Sequence, residues 1–423
     1  MRIWLVTVGE PLPSDGADRL FRTGILADHM ANKGHNVVFW SASFDHVRKR
    51  QRVGKNTTIV LSPNYQLKLL FAPGYRKNIS FARHRNHQEV ARQFRAEARR
   101  TPLPDVILCS LPTLELCSEA VEFGELNGIP VVLDIRDLWP DVAIDCLPTR
   151  FRALGNILFR SMRNSARRSC ARATAITGVT DGYVNWGTSQ AGRQSGPYDR
   201  SFPMAYVERR PGREETDAAM RFWRQHGISE DTAVFTACFF GTIGRHFEIA
   251  PLIHAAKRLA STGRRIKWVI CGTGEDLETY RRLARDCPDV IFPGWMNAAQ
   301  IWALMKLSRV GLTPYVSSPN FTPNLPNKPI EYLSAGLPII SSLQGVLADL
   351  LREHDCGITY ANESVDGIVD AFLQLYDSPD RLNAMSRNAL DLYRRRFVAE
   401  EVYSNMTAYL QAIAHDSPAA KAA

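Results

Sequence analysis

The chain has 423 residues, 45% of them hydrophobic and 22% charged, which is typical of a globular protein with two or three domains. No apolar run reaches the ~18 residues that a membrane-spanning helix needs, so any membrane contact is expected to be peripheral. The eight cysteines include no Cys-x-x-Cys pair, which argues against a zinc site or a disulfide framework and favours reduced thiols in the cytoplasm.

The net charge of +9 is concentrated in the first half of the chain. Residues 1–205 hold 28 of the 52 basic residues but only 18 of the 43 acidic ones. Such asymmetry indicates an anionic partner for that half. Nucleic acid, an anionic membrane and a diphosphate substrate all fit the charge alone.

Short β-branched runs alternate with amphipathic stretches of helical length, which predicts an α/β fold with parallel sheets. The apolar run Ile3–Val8 breaks at Gly9 and is too brief for a signal peptide, so we expect a first buried strand. The other strands predicted in the first half are Asn36–Ser41, Thr58–Leu61, Leu67–Ala72, Asp105–Ser110, Pro130–Ile135 and Ala173–Thr177.

The stretch Arg193–Arg213, rich in Gly, Pro, Ser and Arg, is predicted to link two halves. Beyond it the strands predicted are Ala233–Phe240, Ile266–Cys271, Val290–Phe292, Val310–Thr313, Pro338–Ser341 and Gly357–Tyr360. Helices are predicted at Glu248–Ala260 and Asp276–Asp286, and only helices are expected after Glu363.

We therefore predict two Rossmann-like, doubly wound domains, residues 1–205 and 206–395. A helical segment follows at 396–423, for which a return to the first domain is one option, and its tail Pro418–Ala423 is expected to be disordered. Ligands of such domains bind beyond the carboxyl ends of the strands, so the expected site is a cleft that both domains face.

The loop after the first strand contains Gly16, Arg19 and Arg22. At helical spacing the two arginines would meet a donor diphosphate or an acceptor phosphate. The alternative is a capped helix with arginines facing solvent.

The segment Asp134–Asp141, at the carboxyl end of another predicted strand, contains three carboxylates, an Arg and a Trp. Asp137 is our first choice for the group that accepts a proton from the acceptor hydroxyl or orients it. The following stretch, Phe151–Cys170, has apolar residues at four spaced positions with Arg between them and predicts one basic amphipathic helix. It would rest on anionic lipid headgroups or pack on its own sheet with a solvated basic face.

In the second half, the segment Phe239–His246 runs from a strand into a glycine turn with Gly241, Thr242 and Gly244. Glycines there allow backbone N–H groups to approach a phosphate, and Arg245 adds a cation. The alternative is that this glycine turn only connects the strand to the helix and binds no ligand.

The second segment, Leu325–Ile340, is predicted to contain a helix from Lys328 to Ala335. Lys328 and Glu331 would share one face, where the carboxylate can accept from ribose hydroxyls and the ammonium can meet a phosphate. An exposed Lys–Glu pair is the simpler alternative. Small residues, Ala335 among them, would let the helix approach another loop.

Two further loops follow strands between these segments. Gly272 and Gly274 keep the floor of a cleft open, and Trp295 would either line a base pocket or cap the domain core.

Taken in order, these segments resemble the donor domain of glycosyltransferase family 4, the retaining GT-B enzymes. The series comprises Phe240-Gly-Thr-Ile-Gly, Val269-Ile-Cys-Gly-Thr-Gly-Glu275, Ile291-Phe-Pro-Gly-Trp, Gly311-Leu-Thr-Pro-Tyr315 and the run from Pro326 to Ile340. The resemblance implies a UDP- or GDP-linked sugar donor, no metal or other cofactor, and Glu331 as the ribose-binding carboxylate.

The chain departs from the family pattern twice. An acidic residue often stands eight positions before the glutamate, where this chain has Pro323, and a Lys often follows the first glycine loop, where it has His246-Phe-Glu248. Arg245 and Lys328 then remain as the catalytic cations that neutralise the diphosphate. The pattern is similar to that of aminosugar transferases of surface-polysaccharide assembly.

The expected activity is transfer of a hexosyl or N-acetylhexosaminyl group, with retention, to a hydroxyl of a glycan or of a lipid-diphosphate-linked acceptor. We expect the reaction to take place in the cytoplasm, at the inner face of the membrane if a lipid is the acceptor. Nucleic acid is not expected as a partner. A nucleotide-sugar epimerase, a non-catalytic partner subunit and a nucleic-acid binder are the rivals.

Overall fold

The computed structural model describes every residue except 17, 18, 79, 146, 232 and 417–423, and all described side chains except that of Thr149. The chain divides into two compact units. The first comprises Met1–Pro203 with Glu400–Ala423, and the second comprises Met204–Ala399. The tail Pro418–Ala423, expected to be disordered, lies outside the described residues.

The first unit is built on parallel strands that alternate with helices. Its strands are β1 (Arg2–Val6), β2 (Asn36–Ala42), β3 (Phe44–Asp45), β4 (Arg50–Gln51), β5 (Thr57–Ser62), β6 (Tyr65–Leu70), β7 (Val106–Leu111), β8 (Val131–Ile135), β9 (Ala175–Gly178) and β10 (Arg200–Ser201). Its helices up to residue 191 are α1 (Arg22–Asn32), α2 (Phe81–Ala98), α3 (Leu114–Asn127), α4 (Asp141–Asp145), α5 (Arg152–Leu158), α6 (Arg160–Arg172) and α7 (Asp181–Ala191).

The described part of this unit forms an eight-stranded sheet in the order β10-β9-β8-β7-β1-β2-β6-β5. Neighbouring strands run parallel, except that β5 and β6 form an antiparallel edge pair. Strands β3 and β4 make a separate short hairpin. The central strands β1, β7 and β8 are buried on both faces, which explains their near-continuous apolar sequences.

The second unit repeats the alternation from residue 213 onward. Its strands are β11 (Phe235–Phe240), β12 (Ile266–Cys271), β13 (Val290–Gly294), β14 (Val310–Thr313), β15 (Ile339–Ser341) and β16 (Gly357–Thr359). The helices are α8 (Arg213–Gln225), α9 (Ile249–Ala260), α10 (Leu277–Leu283), α11 (Ala298–Leu307), α12 (Asn327–Ser334), α13 (Val346–Glu353), α14 (Val365–Tyr376), α15 (Pro379–Arg396) and α16 (Ala399–Asp416), the last counted with the first unit from Glu400 on.

The described residues of the second unit form a six-stranded sheet in the order β13-β12-β11-β14-β15-β16, and every neighbouring pair is parallel. The order reverses direction between β11 and β14. Such a switch point leaves space beyond the carboxyl ends of the central strands, where doubly wound folds bind their ligands. The predicted α/β class is confirmed.

Three predicted elements differ from the structure. The stretch Phe151–Cys170 forms two helices, α5 and α6, which meet at Phe159. The helix predicted at Asp276–Asp286 covers only α10, and the linker Arg193–Arg213 contains the short edge strand β10. For the two helical stretches the sequence predicts a helix but not its ends, because tertiary packing decides where a short helix stops. Strand β10 has only two residues, too few for a recognisable strand pattern.

Candidate functional site

The candidate site of the second unit lies in four loops that leave the carboxyl ends of its central strands. The loops span 241–248, 272–276, 295–297 and 314–326, after β11, β12, β13 and β14 respectively. Because β13, β12, β11 and β14 are consecutive neighbours in the sheet, the four loops meet at one edge. All donor-binding residues predicted from the sequence except Glu331 and Ala335 belong to the first three loops.

The first two glycine loops are packed directly against each other. The backbone N–H of Ile243 donates to the carbonyl of Thr273 at 2.9 Å. A Cβ on Gly272, whose φ is +135°, would lie 1.8 Å from the carbonyl oxygen of Gly241, and one on Gly274 would lie 1.8 Å from that of Ile243. Gly272 and Gly274 are thus needed for close approach of two backbones, whatever else they bind.

Lys328 is brought onto the first glycine loop by helix α12. A Cβ on Gly241 would come within 2.5 Å of Lys328 Cε and 2.9 Å of Lys328 Nζ, so the ammonium lies directly over this glycine. The two segments singled out from the sequence therefore meet in space. Gly241 and Lys328 are 87 positions apart in the sequence.

Aromatic rings hold the Lys328 ammonium from the other sides. Its Nζ lies 4.8 Å from the ring centroid of Phe247, 5.9 Å from that of Tyr315 and 6.0 Å from that of Phe239. Contacts of a cation with ring faces contribute about 0.5–2 kcal/mol each, the more so when water is excluded. The cation is thus fixed in a weakly hydrated position, where its charge acts strongly on a bound anion.

Glu331 lies one helical turn further along α12 and is only 5% exposed. Burial raises the pKa of both Tyr315 and Tyr332, and the negative charge of the neighbouring Glu331 adds to this effect at each hydroxyl. A nearly buried carboxylate at a ligand-binding edge is poorly explained as an exposed Lys–Glu pair. The structure thus removes that simpler alternative.

Tyr332 anchors α12 to the sheet beneath the site. Its hydroxyl lies 3.2 Å from the carbonyl oxygen of Cys238 in β11 and 3.3 Å from that of Leu312 in β14. A Cβ on Gly311 would lie 2.3 Å from the tyrosine ring, so only glycine leaves room for it. The anchor fixes the position of Lys328 and Glu331, which precede it on the same helix.

The remaining predicted residues of this unit differ in their exposure and in their distance from Lys328. Thr242 and Arg245 are exposed in the first loop, and Trp295 is 66% exposed, so Trp295 does not cap the domain core. Ala335 follows the last residue of α12, about 10 Å along the axis from Lys328 at ~1.5 Å per residue, and its role in donor binding stays a prediction. The small residues there serve the contact with α15, where Ser386 donates to the carbonyl of Gly336 at 2.6 Å.

The loop that contains Pro323, at the position of the missing carboxylate, is held by contacts of the neighbouring residue Thr322. The N–H of Val346 donates to the carbonyl of Thr322 at 3.1 Å, and a Cβ on Gly345 would lie 2.3 Å from that same oxygen. The loop is therefore shaped by contacts with the start of α13.

In the first unit, Arg22 occupies a position that the sequence did not predict. The residue is 1% exposed, and its guanidinium pairs with Asp134 at 3.0 Å and donates to the carbonyls of Phe202 and Pro203 at 2.9 Å each. Arg22 therefore holds the fold together and does not face a diphosphate. It also begins α1, so Arg19 precedes the helix and does not share a helical face with it.

The Arg22–Asp134 pair belongs to a larger buried network. Arg136 donates to Asp134 at 2.8 Å and pairs with Glu10, which accepts the backbone N–H of Thr23 at 3.1 Å. Burial lowers the pKa of Arg136 to about 10. Sequence reasoning missed the pairing of Glu10 with Arg136 because the two residues are 126 positions apart in the chain.

Of the three carboxylates in Asp134–Asp141, Asp137 alone is exposed. Asp134 lies in the buried network, and Asp141 accepts from the indole N–H of Trp186 at 2.9 Å and pairs with Arg163 at 3.3 Å. Asp137 directly follows the carboxyl end of β8, where a bound acceptor is expected. Gly16, with φ +60°, ends a short 3₁₀ turn at Pro13–Asp15, and Asp15 is held by Arg52 at 2.6 Å.

Two general observations hold for the part of the chain that the structure describes. No group of three or more His, Cys, Asp or Glu side chains is placed to hold a metal ion there. None of its helices combines the length and apolar character needed to cross a membrane.

Residues 223–391 match the family model for group 1 glycosyl transferases, which covers most of the second unit. The likeness to this family is thus confined to the second unit. No curated protein sequence matches the chain.

Solved structures resemble the chain over almost its whole length. Sucrose-phosphate synthase from Thermosynechococcus elongatus has a TM-score of 0.71 at 14% identity, covering 98% of this chain and 100% of that one. Anabaena Alr3699/HepE in complex with UDP-glucose gives 0.64 at 13% identity, with coverage of 97% and 100%. The lipopolysaccharide glycosyltransferase WaaG gives 0.60 at 15% identity, with coverage of 97% and 99%. At these identities the likeness shows the fold, and the predicted GT-B fold is confirmed.

Proposed function

We propose that the protein transfers a sugar from a nucleoside diphosphate to an acceptor hydroxyl, with retention of configuration. The observation that carries the proposal is the position of the Lys328 ammonium over Gly241, beside the buried carboxylate of Glu331. A cation, a glycine loop and a carboxylate at one sheet edge are the groups that a nucleoside diphosphate requires. Its diphosphate needs positive charge, and its ribose needs an acceptor for hydroxyl protons.

In the proposed complex, the diphosphate lies on the loop of Gly241, Thr242 and Gly244, between Arg245 and Lys328. Glu331 accepts the ribose hydroxyls, and the exposed Trp295 stacks on the base. Charge that develops on the leaving diphosphate is then offset by a cation already fixed between aromatic rings, which avoids reorganisation during the reaction. The nucleotide is UDP or GDP, and the transferred sugar is a hexosyl or N-acetylhexosaminyl group.

The first unit supplies the acceptor side of the reaction in this proposal. Asp137 is the exposed carboxylate at the end of β8 and orients or deprotonates the acceptor hydroxyl. The acceptor is a glycan or a lipid-diphosphate-linked sugar of cell-surface polysaccharide or glycolipid synthesis. Of the earlier loop residues, the exposed Gly16 and Arg19 stay in this proposal and the buried Arg22 does not.

Helix α5 supports a peripheral contact with the inner face of the membrane. Its residues Leu154, Ile157 and Leu158 are 53%, 71% and 68% exposed, and Phe151 directly before it is 45% exposed. Clustered exposed apolar side chains mark interaction surfaces. Arginines flank the cluster at 150, 152, 160 and 163, which favours an anionic lipid surface.

Calorimetric titration with UDP, GDP, UDP-glucose and GDP-mannose tests the donor site. We expect one nucleotide to bind, and we expect Glu331→Gln to weaken that binding at least tenfold through loss of the ribose contact. Glu353→Gln, at an exposed position at the end of α13, is the matched control and should bind like the unaltered protein. If no nucleotide binds, the proposed function is wrong.

The rival activities give different results in the same system. An epimerase would interconvert a bound donor sugar with no acceptor present, which chromatography of the recovered nucleotide sugar detects. A non-catalytic subunit would bind neither nucleotide nor sugar nucleotide. A transferase returns the donor unchanged until an acceptor is added.

A further inference from the structure

A group of cationic and aromatic side chains in the first unit takes no part in the function proposed so far. It consists of His46 and Lys49 in the β3–β4 hairpin, Tyr75 in the loop after β6, and Arg83 on α2, and we call it the Lys49–Arg83 cluster. The hairpin follows the carboxyl end of β2, and the Tyr75 loop follows that of the adjacent strand β6. The cluster therefore stands at the ligand-binding edge of the sheet.

The cluster is assembled by specific contacts. His46 Nδ1 and the Tyr75 hydroxyl are 2.6 Å apart, and Lys49 Nζ lies 4.7 Å from the centre of the Tyr75 ring. Asn78 joins the two cations, because its side-chain oxygen accepts from Lys49 at 2.5 Å and its carbonyl accepts from Arg83 at 2.9 Å. Three separate chain segments thus converge on one small surface.

Neutral groups orient Lys49 and Arg83, so the positive charges of these two side chains are not neutralised by their hydrogen-bond partners. Among the residues that the structure describes, neither Lys49 nor Arg83 forms an ion pair with a carboxylate. Two acids of the surrounding elements pair with other residues: Asp45 pairs with Arg52 at 3.5 Å, and Glu115 pairs with His84 at 3.0 Å and with His87 at 3.7 Å.

The titration of His46 reports the same excess of positive charge. Burial lowers the pKa of His46 to about 4, and the charges of Lys49, Arg83 and His87 add to this effect. The single opposing contribution comes from Asp45. Two exposed cations in the same loop, Arg76 and Lys77, extend the positive surface toward solvent.

We infer that the Lys49–Arg83 cluster binds the phosphate of a phosphorylated acceptor. A lysine ammonium and an arginine guanidinium together carry more N–H donors than their protein partners use, and phosphate oxygens are their best acceptors. The inference rests on the proposed transferase function and deepens it, since the acceptor becomes a phosphate or diphosphate ester. A sugar phosphate and a prenyl diphosphate carry this same group.

The test is calorimetric titration of the full chain with inorganic pyrophosphate in saturating UDP, which fills the phosphate-binding loops of the second unit. We expect pyrophosphate to bind, and Arg83→Gln and Lys49→Met each to weaken binding roughly tenfold, the effect of one lost charge-assisted contact. Arg85→Gln removes the same charge from an exposed position two residues along α2 and should stay within about twofold. Arg83→Lys, which keeps the charge, should recover most of the affinity.

Two outcomes would overturn the inference: no pyrophosphate binding, or equal affinities in Arg83→Gln, Lys49→Met and Arg85→Gln. Farnesyl diphosphate and glucose 6-phosphate, used as competitors, distinguish a lipid acceptor from a soluble one. Failure of UDP to bind would count against the proposed function alone, because the comparison of variants on α2 and the hairpin remains readable without nucleotide. Thermal melting of each variant checks that it is folded.

Discussion

At the scale of single residues, the contact between Gly272 and Gly241 sets the shape of the donor loops. Gly272→Ala would place a methyl group 1.8 Å from a carbonyl oxygen at a φ of +135°. We expect the second unit to lose roughly 3 kcal/mol or more, since a steric clash is added to backbone strain. Urea unfolding followed by circular dichroism measures the loss.

Gly263→Ala is the control for that substitution. Gly263 also has a positive φ, +72°, but a Cβ there meets nothing within 4 Å. Backbone strain alone should cost about 1 kcal/mol. Equal losses in the two variants would show that the two loops do not pack as closely as described.

The buried network of the first unit gives a second prediction at this scale. Asp134→Asn removes one of the two carboxylates that neutralise Arg22 and Arg136 in this buried network. Breaking a buried ion pair in this way lowers the free energy of unfolding by about 3–5 kcal/mol. Glu125→Gln removes the partner of Arg172 at the surface, where such pairs contribute about 1 kcal/mol or less. A Tm of Asp134→Asn as high as that of Glu125→Gln would contradict the structural role of the network.

The same network shows why part of the site escaped sequence reasoning. Arg22 and Asp134 are 112 positions apart, and nothing local distinguishes a buried arginine at a helix start from an exposed one. Lys328 and Glu331 were found because their short spacing places them near each other on one helix. The aromatic rings around Lys328 come from other elements, so the sequence carried no local signal for them.

At the scale of elements, helix α5 differs from its neighbours in how little of it is buried. Gly155 alone among its residues is buried, where a Cβ would lie 2.6 Å from the side chain of Leu147. The double variant Leu154→Ser, Ile157→Ser should therefore leave folding nearly unchanged. We expect it to reduce binding to phosphatidylglycerol vesicles at least tenfold in a sedimentation assay, because each leucine-sized side chain contributes about 1.5–3 kcal/mol on burial.

Leu126→Ser on α3 removes a similarly exposed apolar side chain outside α5 and should bind vesicles normally. Vesicles of neutral phosphatidylcholine should bind the unaltered protein weakly, since the flanking arginines then lose their counter-charge. Unchanged sedimentation of the double variant would remove α5 from the membrane contact.

Elements with a long apolar pattern were predicted well, and short ones were not. Strands β12 and β14 have the predicted bounds, because interior strands of a parallel sheet are buried at nearly every position and their residues are mostly apolar or small. The two-residue strands β3, β4 and β10 have no such pattern. The antiparallel direction of β5 also lies outside sequence reasoning, since it follows from the two-residue turn at Pro63–Asn64 and not from the strand itself.

At the scale of the whole molecule, the first unit is made of two distant parts of the chain. Helix α16 contributes buried side chains to it, and Tyr409 packs on Phe202 with ring centroids 5.0 Å apart while its hydroxyl donates to the carbonyl of Tyr198 at 2.8 Å. Ser404 contacts His29 of α1 at 3.3 Å. A chain that ends at Ala399 would expose this apolar surface of the first unit.

We expect that truncation to lower the first thermal transition by about 10 °C or more, because several fully buried side chains are lost at once. The second unit, residues 204–399, keeps all its own elements and should melt as before. Removal of residues 417–423 alone is the control and should change neither transition. Differential scanning calorimetry with limited proteolysis assigns each transition to its unit, and a uniform shift of both would contradict the division.

The return of α16 also orders events during synthesis on the ribosome. Residues 204–399 emerge as one uninterrupted stretch, so the later-encoded unit can close its core first. The earlier-encoded unit must wait, with part of its apolar surface uncovered, until residues 400–416 have left the exit tunnel. Nascent chains stalled just before that helix are therefore the species most in need of chaperones.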